Sequence, residues 1–318
     1  MNDRIGIVWN PSKIAEEELR AAYETARASA PQPPASTGWY ATSEKDPGRG
    51  AAERALGDGC GVIVAAGGDG TVRAVAERLG ESGSPAAELG IVPLGTGNLL
   101  ARNLDVPLGD ARAAFDRVLT GTASPLDLGE VRFATADGGE ERQGFVVMVG
   151  FGIDAQMIAE TDDELKAKAG WLAYIESLGR AASGTEVVGF TVSLDGRPAE
   201  QERAHTLLVA NCGTLQGGFT LLPDASPDDG ELDLLVLRAD DVGGWLDTVR
   251  NMVWDNGLKR LVSGGERDAE SSASTEHLRA RDVRVELPEP RRFEIDGDEV
   301  GEVEAFSVSI LPSALRVR

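Results

Sequence analysis

The chain has 318 residues, 42% of them hydrophobic, with 53 acidic against 31 basic residues and a formal charge of −22. This excess of acid argues against a nucleic-acid partner, and the basic residues are nearly all arginine, the lysines being Lys13, Lys45, Lys166, Lys168 and Lys259. The apolar content suits a packed globular protein, the length makes two domains the natural expectation, and no uncharged apolar run is long enough to span a bilayer.

Strand-like and helix-like patterns alternate through the first part of the chain. Residues 5–9 read as a strand that follows Met1–Arg4 with no signal-peptide core, 14–27 as a helix, 38–41 as a strand and 50–56 as a helix, with 31–34 a Pro-rich linker. The apolar run 62–66 predicts a buried strand; Gly67-Gly68-Asp69-Gly70-Thr71 follows, then a helical pattern with Val72, Val75, Ala76 and Leu79 on one face. Residues 89–93 repeat the unit and lead into Leu94-Gly95-Thr96-Gly97-Asn98 and a helical run from Leu99. A helix over 110–119 closes this parallel, doubly wound pattern.

From Leu126 the character turns to β. Strands are predicted over 128–133, 145–149, 187–194, 203–210, 232–237, 283–287, 293–295 and 305–311, with Asp195-Gly196 a hairpin signal. Helical stretches near 158–180 and 241–261 interrupt them, and 263–276 reads as an exposed loop. Cys60 and Cys212 lack metal spacing or a disulfide framework and read as small buried hydrophobes in a reducing compartment. His205 and His277 fit no triad or metal spacing and are assigned no role.

A strand, a glycine turn and a helix together aim backbone N–H groups at phosphate. The turn at 67–71 lacks the lysine of a Walker A loop and the G-x-G-x-x-G of a dinucleotide fingerprint. Phosphate repels a carboxylate in such a turn unless the acid grips a cation or a reacting hydroxyl, so Asp69 points to metal-assisted phosphoryl transfer. Thr96 and Asn98 add a hydroxyl and an amide able to reach phosphate, and Arg102 stands one turn further on.

Gly67–Thr71 and the run from Pro93 to Arg102 resemble the catalytic domain of diacylglycerol kinases and related bacterial lipid kinases. Asn10-Pro11 after the first strand and Thr42 after the second fit the same pattern, as do Gly150-Phe151-Gly152-Ile153-Asp154-Ala155 and the helix holding Lys166, Gly170, Trp171 and Tyr174. Gly217-Gly218, the run from Pro223 to Asp233 and Ile295-Asp296-Gly297-Asp298 resemble later motifs of that family in the same order. The resemblance implies an α/β fold: a Rossmann-like nucleotide-binding domain over 1–125, completed by 306–318, and a β-sandwich lipid-substrate domain over 126–305.

It also implies an ATP- and Mg²⁺-dependent lipid kinase that acts on diacylglycerol or a related lipid. Its nucleotide would be bordered by Asn10 and Thr42 and held by Gly67, Gly68, Asp69, Gly70, Thr71, Thr96, Gly97 and Asn98. Asp298 would be the proton acceptor, with Asp296 and Asp69 as further catalytic candidates. Asp298 stands where the family carries glutamate, a loss of roughly 1.5 Å of reach. Asp228-Asp229-Gly230 reads either as a solvated turn or, by the resemblance, as a structural Mg²⁺ site using Asp229 with the carbonyls of Ser226 and Glu231. Trp171 and Tyr174 would flank the lipid entrance.

The expected partner is a lipid at a membrane surface, met by a cytoplasmic protein at the inner face; a homodimer stays open. Three other activities also stay open: a kinase for a sphingoid base or phosphatidylglycerol, an NAD kinase, and a nucleotide or lipid sensor weakened at Asp298.

Overall fold

The computed structural model describes residues 4–135, 139–152, 187–215, 221–238 and 275–318. Continuous apolar runs become strands buried on both faces, as parallel sheets require: in β1 (Arg4–Trp9), β3 (Val62–Gly67) and β4 (Glu88–Pro93) all but the first residue is buried. With β2 (Ser36–Ala41) they lie parallel in the order β2-β1-β3-β4.

The connections are α1 (Glu16–Ser29), α2 (Arg49–Gly57), α3 (Asp69–Gly80), the short α4 (Leu99–Asn103) and α5 (Ala111–Thr120). Helix α1 packs on α5, where Tyr23 meets Phe115 edge to face at 5.2 Å, and α2 packs on α3. Val72, Val75, Ala76 and Leu79 are all buried, the face their spacing predicts.

The remaining strands are β5 (Ser124–Thr135), β6 (Glu140–Phe145), β7 (Met148–Phe151), β8 (Val188–Leu194), β9 (Glu200–Ala210), β10 (Leu232–Arg238), β11 (Thr275–Ala280), β12 (Asp282–Ile295) and β13 (Asp298–Val317). All of their pairings with one another are antiparallel. Strand β13 joins the two parts, pairing with β12 and β5 along its length and with Leu89 of β4 at Val317. One apolar core lies around the parallel strands and their helices, and a second lies among the antiparallel strands, with Phe133, Phe293 and Phe306 in contact.

The structure departs from the sequence expectations at three places. The run 145–149 is two strands, because the N–H groups of Val146, Val147 and Met148 turn to the Asp296 carboxylate where the chain passes from β6 to β7. Thr275 and Glu276 belong to β11, not to a loop: pairing with Leu237 and Val236 of β10 overrides their polar character. Residues 283–287 and 293–295 form one strand, with a register shift between Glu286 and Arg291.

Asp195-Gly196 and Asp296-Gly297 form two-residue hairpin turns with positive φ at each position, 50° and 70° at the first, 50° and 84° at the second. Cys60 and Cys212 are buried free thiols. Among the described residues, no helix is long and apolar enough to cross a membrane.

Candidate active site

The carboxyl ends of the parallel strands deliver the predicted nucleotide residues to one edge of the sheet. Asn10 follows β1 and donates its N–H to the Ala66 carbonyl at 2.9 Å; Thr42 follows β2, is buried, and donates its N–H to Trp9 at 2.9 Å. The Asn10 carboxamide oxygen accepts from the Ser12 N–H and hydroxyl, which fixes the turn after β1.

At Gly68 and Gly95 the two glycine loops meet backbone to backbone. A Cβ on Gly95 would lie 2.7 Å from the Gly68 Cα, and one on Gly67 would lie 2.6 Å from the Cβ of buried Thr71. The N–H groups of Thr71 and Val72 turn back to the Gly68 carbonyl, and α3 starts at Asp69 with no side-chain cap.

Asp69 is the bolt between the loops. Its Oδ2 accepts the Asn98 N–H at 2.8 Å and its Oδ1 the Leu99 N–H at 2.6 Å. A cation or a reacting hydroxyl is one reason for an acid in this turn; the backbone donors of the second loop are another. Burial pushes its carboxyl above the usual carboxylate range, against those hydrogen bonds.

Asn98, in the left-handed conformation at φ 50° and ψ 47°, closes the second loop. Its Oδ1 accepts from Gly95 N–H and its Nδ2 donates to Gly95 carbonyl, so this amide spends itself on the loop. Arg102 donates to the Gly97 carbonyl at 2.7 Å for the same end. Thr96 alone in this loop is exposed.

The turn between β12 and β13 meets this edge. Asp296 is 3% exposed, and its carboxylate accepts the N–H groups of Val146, Val147 and Met148 at 2.8–3.0 Å. Burial raises its carboxyl to about 6, opposed by the Arg73 charge and those donors. It is an anchor for the turn rather than a solvated hairpin residue.

Asp298, two residues on, has a side chain 54% exposed. Its Oδ2 accepts from Arg73 Nη2 at 2.9 Å and lies 3.4 Å from where a Gly70 Cβ would stand. Arg73 Nη1 donates to the Ile295 carbonyl at 2.5 Å. The structure thus brings Asp69, Gly70, Asp296 and Asp298 to one corner. It adds Arg73, which sequence reading missed; the available signal was its place four residues after Asp69, on the same helix face.

Ser226, Asp229 and Glu231 form a separate corner. There the Arg279 guanidinium contacts Asp229 and reaches Glu231 at 3.0 Å and Asp233 at 3.4 Å. Asp229 also accepts the Glu231 N–H at 3.0 Å. The expectation of a structural Mg²⁺ here meets a guanidinium where the acids converge. Among the described residues no group of three or more His, Cys, Asp or Glu is arranged for a metal ion. Residues 153–155, Lys166, Trp171, Tyr174, Gly217 and Gly218, and the predicted helices near 158–180 and 241–261, lie outside the described residues.

Residues 4–131 match the family model of the diacylglycerol kinase catalytic domain, and residues 147–318 that of the YegS C-terminal NAD kinase beta sandwich-like domain. A Pseudomonas aeruginosa protein named "Probable lipid kinase YegS-like" is 33% identical over 319 residues, covering 99% of this chain and 94% of its own. A Staphylococcus aureus diacylglycerol kinase is 25% identical over 305 residues, covering 96% and 89%. A crystal structure of a Bacillus anthracis diacylglycerol kinase superposes with a TM-score of 0.66 at 18% identity, covering 99% of this chain and 96% of that one, a likeness of fold. The nucleotide-type loops, the β-rich second half and these matches together make the chain a member of the diacylglycerol kinase/YegS family of lipid kinases.

Proposed function

We propose that this kinase transfers the γ-phosphoryl group of ATP to the hydroxyl of diacylglycerol, giving phosphatidic acid, with Asp298 as proton acceptor. The observation that supports this most is the half-exposed Asp298 carboxylate beside Gly70, at the mouth of the two glycine loops. A general base must stand within hydrogen-bond reach of the hydroxyl it deprotonates, and Asp298 is the acid of this corner open to an incoming acceptor.

Gly67 and Gly95 pack too closely for any side chain, while a Cβ at Gly68 or Gly70 would lie no nearer than 3.4 Å to its neighbours, and bare backbone at those two positions fits phosphate. Backbone N–H groups of the Gly67–Gly70 turn and the Thr96 hydroxyl would hold the phosphates, with Thr71, whose N–H is spent on the Gly68 carbonyl, and Gly97 and Asn98 shaping the loops, and Asn10 and Thr42 bordering the nucleotide. Mg²⁺ bound with ATP supplies charge neutralisation on the phosphates. Asp69 accepts one N–H of the second loop on each oxygen, and its remaining acceptor capacity would serve a water of that ion. Asp296 fixes the turn that carries Asp298. At Ser226, Asp229 and Glu231 the Arg279 guanidinium already contacts the acids.

In balance, the lipid oxygen forms a bond to the γ-phosphorus while the bond to the β-bridging oxygen breaks; ADP leaves and Asp298 takes the hydroxyl proton. The test is radiolabelled ATP with vesicles containing, in turn, diacylglycerol, monoacylglycerol, a sphingoid base and phosphatidylglycerol. Label in phosphatidic acid, lost in Asp298→Asn, is expected. Label only in another lipid would move the acceptor assignment, and undiminished transfer by Asp298→Asn would overturn the role of Asp298.

A further inference from the structure

We infer that Arg73 is a positioning residue for phosphoryl transfer, clamping the turn that carries Asp298 onto the helix that starts from the first glycine loop. This rests on reading Asp298 as the proton acceptor. Arg73 sits one turn into α3, and its guanidinium reaches across 222 residues to the Ile295 carbonyl and 225 residues to the Asp298 carboxylate. Its two terminal nitrogens thereby hold both ends of one hairpin turn, the last residue of β12 and the first of β13.

A planar fork of donors fixes orientation as well as distance, which a lysine ammonium cannot do. The Arg73 side chain is 16% exposed, so little freedom remains to it, while Asp298 on its outer side stays open. Helix α3 begins at Asp69, so the clamp sets the spacing between the phosphate loop and the acid as one rigid link. Asp298 is one methylene shorter than glutamate, and a short acid depends more on where its backbone is held. Arg73 answers that need: it brings the turn to the loop instead of extending the side chain toward it.

The experiment is a double-mutant cycle on the full chain, reading kcat, the KM for ATP and the melting temperature. Arg73→Ala should lower kcat by about 10- to 50-fold in the wild-type background and by less than about twofold in Asp298→Asn, with the KM for ATP nearly unchanged. Arg73→Lys, which keeps the charge and loses the fork, should fall between, at about three- to tenfold. If Arg73→Ala does not fold, the Arg73→Lys cycle carries the same test.

Equal losses in both backgrounds would mean a merely structural arginine and overturn the proposal. So would wild-type kcat in both Arg73 variants while Asp298→Asn is inactive, which leaves the reading of Asp298 standing. Undiminished turnover in Asp298→Asn would overturn both together.

Discussion

Two corners of this protein gather acids around an arginine, and they differ in what each leaves open to solvent. At the first, Arg73 holds Asp298 and the Ile295 carbonyl, buried Asp296 is saturated by three N–H groups, and Asp298 remains 54% exposed. At the second, Arg279 is shared by Asp229, Glu231 and the fully buried Asp233. Nearby, Asp127 is 0% exposed and accepts from the N–H groups of Gly230 and Ser313 at 2.7 and 2.6 Å. A carboxylate whose oxygens are all engaged by backbone holds segments together; one held from a single side can still meet a substrate. The sequence shows Asp residues beside Gly at both corners, and only the partners tell them apart.

The contrast is broken most directly by removing each kind of acid. Asp298→Asn should cut lipid phosphorylation by roughly 10²–10⁴-fold, the range for a general base, with the melting temperature almost unchanged. Asp127→Ala should do the reverse, costing about 2–4 kcal/mol in urea unfolding by leaving two buried N–H groups unpaired, with the folded fraction still active. Asp69→Ala should raise the KM for ATP by about tenfold or more and lower kcat as well, because the second glycine loop loses its tie to α3.

A pH series sharpens the comparison further. The Asp296 carboxyl goes from an ordinary 3.8 to about 6 in the fold, mainly through burial. The folded state then holds this proton more tightly than the unfolded chain, so its contribution to stability falls as pH rises from about 4 through about 6. Relative to Asp296→Asn, which has no such proton, the wild type should lose on the order of 2–3 kcal/mol across that window. Parallel curves for the two proteins would remove the buried-charge account of this residue. The smallest effect belongs to Arg279: Arg279→Ser should lower the melting temperature by about 2–4 °C, and millimolar Mg²⁺ should restore part of it, while the wild type stays indifferent to chelator.

What was legible in the sequence was whatever depends on neighbours along the chain. The apolar runs of β1, β3 and β4, the buried face of α3 and the hairpin at Asp195-Gly196 follow from local pattern and turn chemistry. The family motifs also marked the acids that meet at the site. Long-range partners were not legible. The break between β6 and β7 is caused by Asp296, about 150 residues away, so 145–149 looked like one strand. Asp69 looked like a ligand group because nothing local reveals that Asn98 and Leu99, 29 and 30 residues on, already use it. Asp229 looked free because Arg279, which contacts it, stands fifty residues downstream.

The span between Arg73 and Asp298 also sets an order for biosynthesis. The glycine loops and their helices are made first, whereas the acid that faces them is translated 225 residues after the arginine that will receive it, and the core around them is completed later still by Leu315 and Val317. A nascent chain paused anywhere in that interval would present the proposed phosphate cradle with no Asp298 opposite it. With Asp298 as the proposed proton acceptor, turnover would begin only when the hairpin that carries it has docked on α3.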